Sequence, residues 1–332
     1  MTSFGLLPSG EPVTRAKLDA YGLQLNTISW GASVQDLRIE GFEHPLVLGF
    51  PTLEPYLSAE GRYFGAIVGR VANRIAGGEA RIGTTTWQFD RNEAGQTTLH
   101  GGSSGSGQRN WRRVALEPNL VSYADYLPDG HMGFPGNLLV SVIYRLLPGP
   151  ALSIEILATS TCETLSNFAQ HSYFNLDGSD SIENHHLSSP ASYYLPVDEQ
   201  LIPLGRPARV DGTALDFRSP VRLGTRLENG VIDHNLCLAA SRLRETRPMA
   251  VLRSAGVQML IESTEPGLQV YTGDHIRPGS IGISGRTYGR NAGIALEPQC
   301  WPDAPHHADY PSILLGPGQI YKQTTILRFS RR

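Results

Sequence analysis

Glycine and proline interrupt this chain at short intervals. There are 36 glycines and 23 prolines in 332 residues, so most stretches meet a helix breaker before a long helix can form. Between the breaks, apolar residues alternate with polar ones. Leu23 and Leu25 alternate with Gln24 and Asn26, and Leu152, Ile154 and Ile156 with Ser153 and Glu155. Val257, Met259 and Ile261 repeat the pattern, as do Thr325, Leu327 and Phe329. A period of two is the signature of a strand with one buried face. The run 138–146 is more evenly apolar and predicts a strand covered on both faces. Helical periodicity is weak, with short candidates only at 53–59 and 220–227. Many short strands with frequent turns predict an all-β fold, an antiparallel sandwich or barrel. No linker, repeat or composition shift divides the chain, and the Gly-Ser stretch 101–107 reads as a loop. The expectation is therefore one unit spanning 1–332.

Composition narrows the function classes. Hydrophobic residues make up 40% and charged residues 18%, so a large core is available and disorder is not expected. The net charge is −3 and no basic run exists, which argues against nucleic acid or an anionic membrane as partner. Cys162, Cys237 and Cys300 are far apart and form no Cys-x-x-Cys pair, a pattern that fits reduced thiols in the cytoplasm. Residues 1–13 lack the basic start and apolar run of a signal peptide. No stretch of about 18 apolar residues is present, so no membrane span is expected.

Two tempting motifs fail. Gly101-Gly102-Ser103-Ser104-Gly105 has the spacing of a serine nucleophile elbow, but a poor helix start follows it. Gly102 to Gly107 has the outer spacing of a phosphate-binding loop, yet Gln108-Arg109 stands where Lys-Ser/Thr is needed. The doublets His185-His186 and His306-His307 do not suggest a metal site, because neighbours on a strand point to opposite faces. They read as solvated loop histidines.

Three residues remain as candidates for acid–base chemistry. Glu297 follows the apolar segment Gly293-Ile294-Ala295-Leu296, and a carboxylate at the end of such a strand is costly unless paired or functional. A buried arginine partner would explain it equally well. His171 opens the run Tyr173-Phe174 and reads either as a core histidine satisfied by backbone or as a catalytic group. His100 precedes two glycines, which permit close backbone approach or simply a turn.

The order and spacing of several motifs resemble the aldose 1-epimerase (galactose mutarotase) family. They are Gly69-Arg70-Val71-Ala72-Asn73-Arg74-Ile75, Leu99-His100-Gly101-Gly102 and His171-Ser172-Tyr173-Phe174-Asn175-Leu176. Asp233-His234-Asn235, Gln269-Val270-Tyr271-Thr272-Gly273 and Leu296-Glu297-Pro298-Gln299 continue the series. Supporting matches are Gly133-Phe134-Pro135-Gly136-Asn137, Pro196-Val197-Asp198-Glu199, Asp216-Phe217-Arg218 and Pro302-Asp303-Ala304-Pro305. The resemblance implies a large twisted antiparallel β-sandwich with few short helices. It also implies a cytoplasmic isomerase, monomer or homodimer, that interconverts the anomers of free aldoses with no cofactor and no metal. Such chemistry needs a base at the C1 hydroxyl and an acid at the ring oxygen, with the roles reversing afterwards. By resemblance, Glu297 is the base, His171 the acid, and His100 stabilises developing charge. Asn73 and Arg74 grip hydroxyls, Asp233 accepts from hydroxyls across the ring, and Gln269 orients the sugar. His234 reads as structural.

The chain departs from the family at three places. Ser106 follows Gly105 where the family has Gly-Phe after its His-Gly-Gly, Gln170 precedes His171 in place of Asn, and Asp274-His275 replaces Asn-Phe. Ser106 and His275 are therefore open questions for substrate contact. Two alternatives accompany the main reading. A hexose-phosphate 1-epimerase would want several cationic groups around the pocket, and only Arg74 is assigned there. A non-catalytic sugar-binding module would need no acid–base pair.

Overall fold

The alternating segments all become strands. The computed structural model describes residues 2–228 and 230–331, and it is 44% strand and 6% helix. The expected all-β class follows. Two short α-helices occur among the described residues, Glu54–Leu57 and Leu223–Leu227, both inside the segments expected to be helical. Pro55 sits in the first turn of the former, where its missing N–H has no intrahelical partner to lose.

Three sheets dominate. The nine-stranded sheet runs Arg112–Glu117, Leu120–Leu127, Leu138–Leu147, Ala151–Ser160, Tyr321–Arg331, Val257–Ser263, Arg247–Arg253, His186–Ser188 and Val221–Arg222 in spatial order. The six-stranded sheet has the order Tyr173–Phe174, Ile294–Gln299, Gly267–Tyr271, Asp233–Cys237, Tyr193–Tyr194 and Ala208–Arg209. A four-stranded meander, Thr2–Leu6 to Ser33–Ile39, completes the set. Their strand pairings are antiparallel.

One buried cluster joins the three sheets. Val140, Val142, Ile154, Ile156, Met259 and Leu327 from the large sheet share it with Leu236, Leu268, Val270, Ile294 and Leu296, and with Leu23, Leu25 and Leu37. This is sandwich packing, with one apolar face of each sheet turned inward.

Two expectations need correction. The strand Leu138–Leu147 is not covered on both faces: it alternates strictly, and Leu139 is 54% exposed between buried Leu138 and Val140. His185 is no solvated loop residue. It is fully buried, and its Nε2 accepts the Leu176 N–H at 2.8 Å. Of the other doublet, His306 is exposed and His307 half-buried, and both approach the Asp303 carboxylate.

Candidate active site

The six-stranded sheet has two unlike faces, and the difference is written residue by residue. Directly opposed residues in paired strands share a face, and so do residues two apart. Asn235 pairs with Gln269, and Gln269 with Glu297. Asp233 pairs with Tyr271, Tyr271 with Ala295, and Ala295 with Tyr173. The intervening residues Leu236, Leu268, Val270, Ile294, Leu296 and Phe174 all enter the core. One face of the sheet is thus apolar and closed, while the other is a polar floor.

Over this floor lies a cleft of about 370 Å³, within the range of roughly 300–1,000 Å³ usual for small-molecule sites. Glu297, Gln269, Asp233, Tyr173 and Tyr271 rise from the sheet, and His171 stands just before the Tyr173 strand. The opposite wall comes from the segment 63–100: Tyr63, Asn73, Arg74, Glu93, Leu99 and His100. The pairing of Arg74–Ile75 with Thr98–Leu99 brings that wall together. Asn73 and His100 flank this pairing with φ of 61° and 52°, a left-handed conformation that side-chain-bearing residues adopt mainly where surroundings enforce it. Gly101 is enforced as well. At φ of 82°, a Cβ there would stand 2.1 Å from the Gly69 carbonyl oxygen.

Hydrogen bonds fix the wall. The Asn73 N–H donates to His100 Nδ1 at 3.2 Å, and the His100 N–H donates to the Asn73 carbonyl at 3.0 Å. With Nδ1 accepting, neutral His100 carries its proton on Nε2. Arg74 makes a two-pronged bond to Glu93, 2.8 Å at each nitrogen, and lies 3.7 Å from Asp233. Gln269 Nε2 donates to Asp233 at 2.5 Å. Asp303 braces the strand from behind, taking the Ala76 N–H on its carboxylate and donating its own N–H to the Arg74 carbonyl. Arg70, in the same motif as Arg74, is scaffold instead. Its guanidinium is buried and donates to the Pro135, Gly136 and Leu127 carbonyls.

The catalytic candidates meet at the closed end. His171 Nε2 stands 3.6 Å from Glu297 Oε1, and the His100 and His171 rings are 5.3 Å apart at a steep angle. Both members of the first pair are almost wholly buried. Burial pushes the Glu297 carboxyl well above its ordinary range; Asp233 adds to this and Arg74 opposes it. Burial lowers His171 to about 4. His100 is also held well below its usual value, by burial first and then by His171 and Arg74. Burial works against the Arg74 charge, but Glu93 and Asp233 outweigh it and keep the guanidinium protonated. Glu297 Oε2, His171 Nδ1 and Gln269 Oε1 have no partner among the described protein groups. A carboxyl and an imidazole, both displaced from their usual values and both on a cleft, form a set suited to proton transfer.

All seven residues singled out in the sequence line this one cleft: Glu297, His171, His100, Asn73, Arg74, Asp233 and Gln269. The arginine partner considered for Glu297 is not what explains it, because Arg74 engages Glu93 and Asp233. His275 also lines the cleft; its Nδ1 bonds the Tyr271 hydroxyl at 3.1 Å. Ser106 does not. It is fully buried, and its hydroxyl donates to the Ile67 carbonyl. Gln170 points away from the cleft, to the Gly65 carbonyl and Ser172. Ser103 lies in a turn followed by a single 3₁₀ turn over Ser106–Gln108, so no nucleophile elbow forms. Sequence reasoning missed Glu93 and Tyr63 altogether, and it gave no role to Leu99, Tyr173 and Tyr271, which it had only as members of motifs. Tyr63 packs edge-on against His100 at 4.7 Å.

Comparison with known proteins agrees with this arrangement. A family model described as Aldose 1-epimerase matches residues 15–328. A galactose mutarotase from Mus musculus is 41% identical over 340 residues, covering 99% of this chain and 98% of the relative. An aldose 1-epimerase from Escherichia coli (strain K12) is 33% identical, covering 98% and 97%. The crystal structure of an aldose epimerase homologue from C. elegans superposes with a TM-score of 0.89 at 28% identity, covering 96% of this chain and 99% of that one. With the match running over nearly the whole chain, this protein belongs to the aldose 1-epimerase family, enzymes of the epimerase class.

Proposed function

We propose that this protein interconverts the α and β anomers of a free aldose, such as galactose or glucose, by ring opening under general acid–base catalysis. The observation that carries the reading is the buried Glu297–His171 pair, 3.6 Å apart on the floor of a polar cleft. The names of its relatives, galactose mutarotase among them, support the substrate class.

The pair holds one proton. Before a sugar binds, burial favours the neutral form of each member, which supports the proton resting on Glu297. A bound sugar offers hydroxyl donors to a carboxylate and a ring-oxygen acceptor to an imidazolium, and so stabilises the ionised arrangement. Glu297 then takes the proton from the C1 hydroxyl. The freed electron pair forms the C1 carbonyl, the bond between C1 and the ring oxygen breaks, and His171 gives its proton to that oxygen. Rotation about C1–C2 presents the other face of the aldehyde, and the same transfers run backwards to close the ring. His100, neutral with its proton on Nε2, donates to the oxygen where charge develops. Asn73, Arg74, Asp233 and Gln269 hold the remaining hydroxyls, and Tyr63, Tyr173 and Tyr271 supply apolar ring contact.

The chain is proposed to work as one unit over 1–332 in the cytoplasm, a placement favoured by three cysteines that are all free. The deciding experiment is polarimetry of freshly dissolved α-D-galactose and α-D-glucose at neutral pH, with and without the protein. Accelerated approach to anomeric equilibrium is expected. No acceleration with these sugars or a pentose panel would remove the reading.

A further inference from the structure

Glu93 stands in the cleft wall, yet no part of the proton transfer needs it. It sits at the neck of a tight loop, where Glu93 and Thr97 exchange backbone hydrogen bonds at 3.2 Å around Ala94 and Gly95, both at positive φ. The loop aims the carboxylate at Arg74. Oε1 accepts from one terminal nitrogen at 2.8 Å, and Oε2 accepts from Nε at 2.8 Å and from the Thr97 hydroxyl at 2.7 Å. The remaining terminal nitrogen of Arg74 is 3.7 Å from Asp233. Arg74 is thus flanked on both sides, and its side chain is only 11% exposed.

This changes what the cleft can recognise. Arg74 is the one Arg or Lys among its lining residues, against the carboxyl groups of Glu93, Asp233 and Glu297. A guanidinium held bidentate by one carboxylate has little left to offer an anionic ligand. The Glu93 and Asp233 carboxylates beside Arg74 add like-charge repulsion in a partly buried site, where screening is weak.

We propose that Glu93 is a positioning and specificity-determining residue: by occupying Arg74 it presents the guanidinium to neutral hydroxyls and turns away aldoses that bear a carboxylate or a phosphate. The inference rests on the reading of this cleft as the sugar site. Glu93→Gln keeps the size and shape of the side chain, so that variant removes the charge and loosens the two-pronged bond. Thr97→Val removes only the hydroxyl that steadies Oε2.

The test compares kcat and KM for D-galactose with those for D-galacturonate and D-glucose 6-phosphate in three proteins: wild type, Glu93→Gln and Thr97→Val. Wild type is expected to turn over galactose and to discriminate against both anions. In Glu93→Gln the galactose KM should rise with kcat little changed, while the ratio of kcat/KM for anion over galactose climbs on the order of tenfold or more. Thr97→Val should move both quantities the same way by less. An equal loss of kcat/KM for neutral and anionic sugars would mark Glu93 as a structural residue and overturn the proposal. So would an unchanged ratio in a Glu93→Gln protein that still folds and acts on galactose. Failure of the wild type on galactose itself would instead strike the functional reading on which the proposal depends.

Discussion

At the scale of single residues, burial moves His171 and Glu297 in opposite directions, and both movements have consequences that can be measured. His171 is lowered to about 4 by burial, and Glu297 is raised well above 4.5 by the same cause. The working pair carries one proton, so it fails when both groups are protonated and when both are stripped. The acid limb of kcat/KM should therefore fall near pH 4, with no inflection near the ordinary histidine value of about 6.5. An acid limb at 6.5 in the measured profile would contradict the assignment of His171. Stability follows a different sign. A carboxyl whose pKa is raised in the folded state stabilises that state most below its unfolded value near 4.5, and this contribution is lost as pH climbs toward the folded value. The loss amounts to about 1.4 kcal/mol per pH unit across that window. Glu297→Gln lacks the titration. It should cut turnover on the order of 10²-fold or more and yet melt higher than wild type, by a margin that widens as pH rises above 4.5. Melting curves between pH 4 and 8 check this, and a margin that narrows with pH would refute the burial argument.

At the scale of elements, adjacent leucines record what a sequence pattern can and cannot say. The alternating runs at 152–156, 257–261 and 325–329 all proved to be half-buried strands, with Ser153, Glu155, Gln258 and Arg328 among their outward positions, although Leu260 and Ile326 also face outward. The run 138–146 misled because Leu139 and Ile143 occupy outward positions in a strand whose buried residues are Leu138, Val140, Val142 and Tyr144. An apolar residue on a protein surface is common, so a single exposed leucine carries no signal of its own. Leu138→Ala should accordingly cost about 2–5 kcal/mol, as core truncations do, while Leu139→Ala stays within about 0.5 kcal/mol. Denaturant titration of the two variants tests the register directly; equal losses would mean that the outer face is covered after all. The site was legible to a different degree. Glu297 announced itself as a carboxylate in an apolar strand. Arg70 and Arg74 could not be told apart by composition, since both lie in one short motif and only packing makes the first a scaffold and the second a wall of the cleft. Glu93 was invisible. It lies in a polar loop, and its partner is 19 residues away, joined only when Arg74–Ile75 pairs with Thr98–Leu99.

At the scale of the whole molecule, the cleft exists only when distant parts of the chain meet. Its floor is a sheet face built from residues 173, 233, 269, 271 and 297, and its wall comes from residues 63–100. A sugar that touches both sides binds the folded state alone, so binding must add to stability by mass action. At a free sugar concentration of about 100 times Kd the gain is about 2.7 kcal/mol. The proposed division of labour predicts how that gain is distributed. Arg74 and Asp233 grip hydroxyls in the ground state, whereas Glu297 acts on a proton in flight. Galactose should therefore raise the melting temperature of wild type and of the inactive Glu297→Gln protein by similar amounts. In Arg74→Ala the shift should be largely lost at the same sugar concentration. If Glu297→Gln lost the shift while Arg74→Ala kept it, the carboxyl would be the principal binding group and the wall a structural partition. That result would reverse the roles given to the two sides of the cleft.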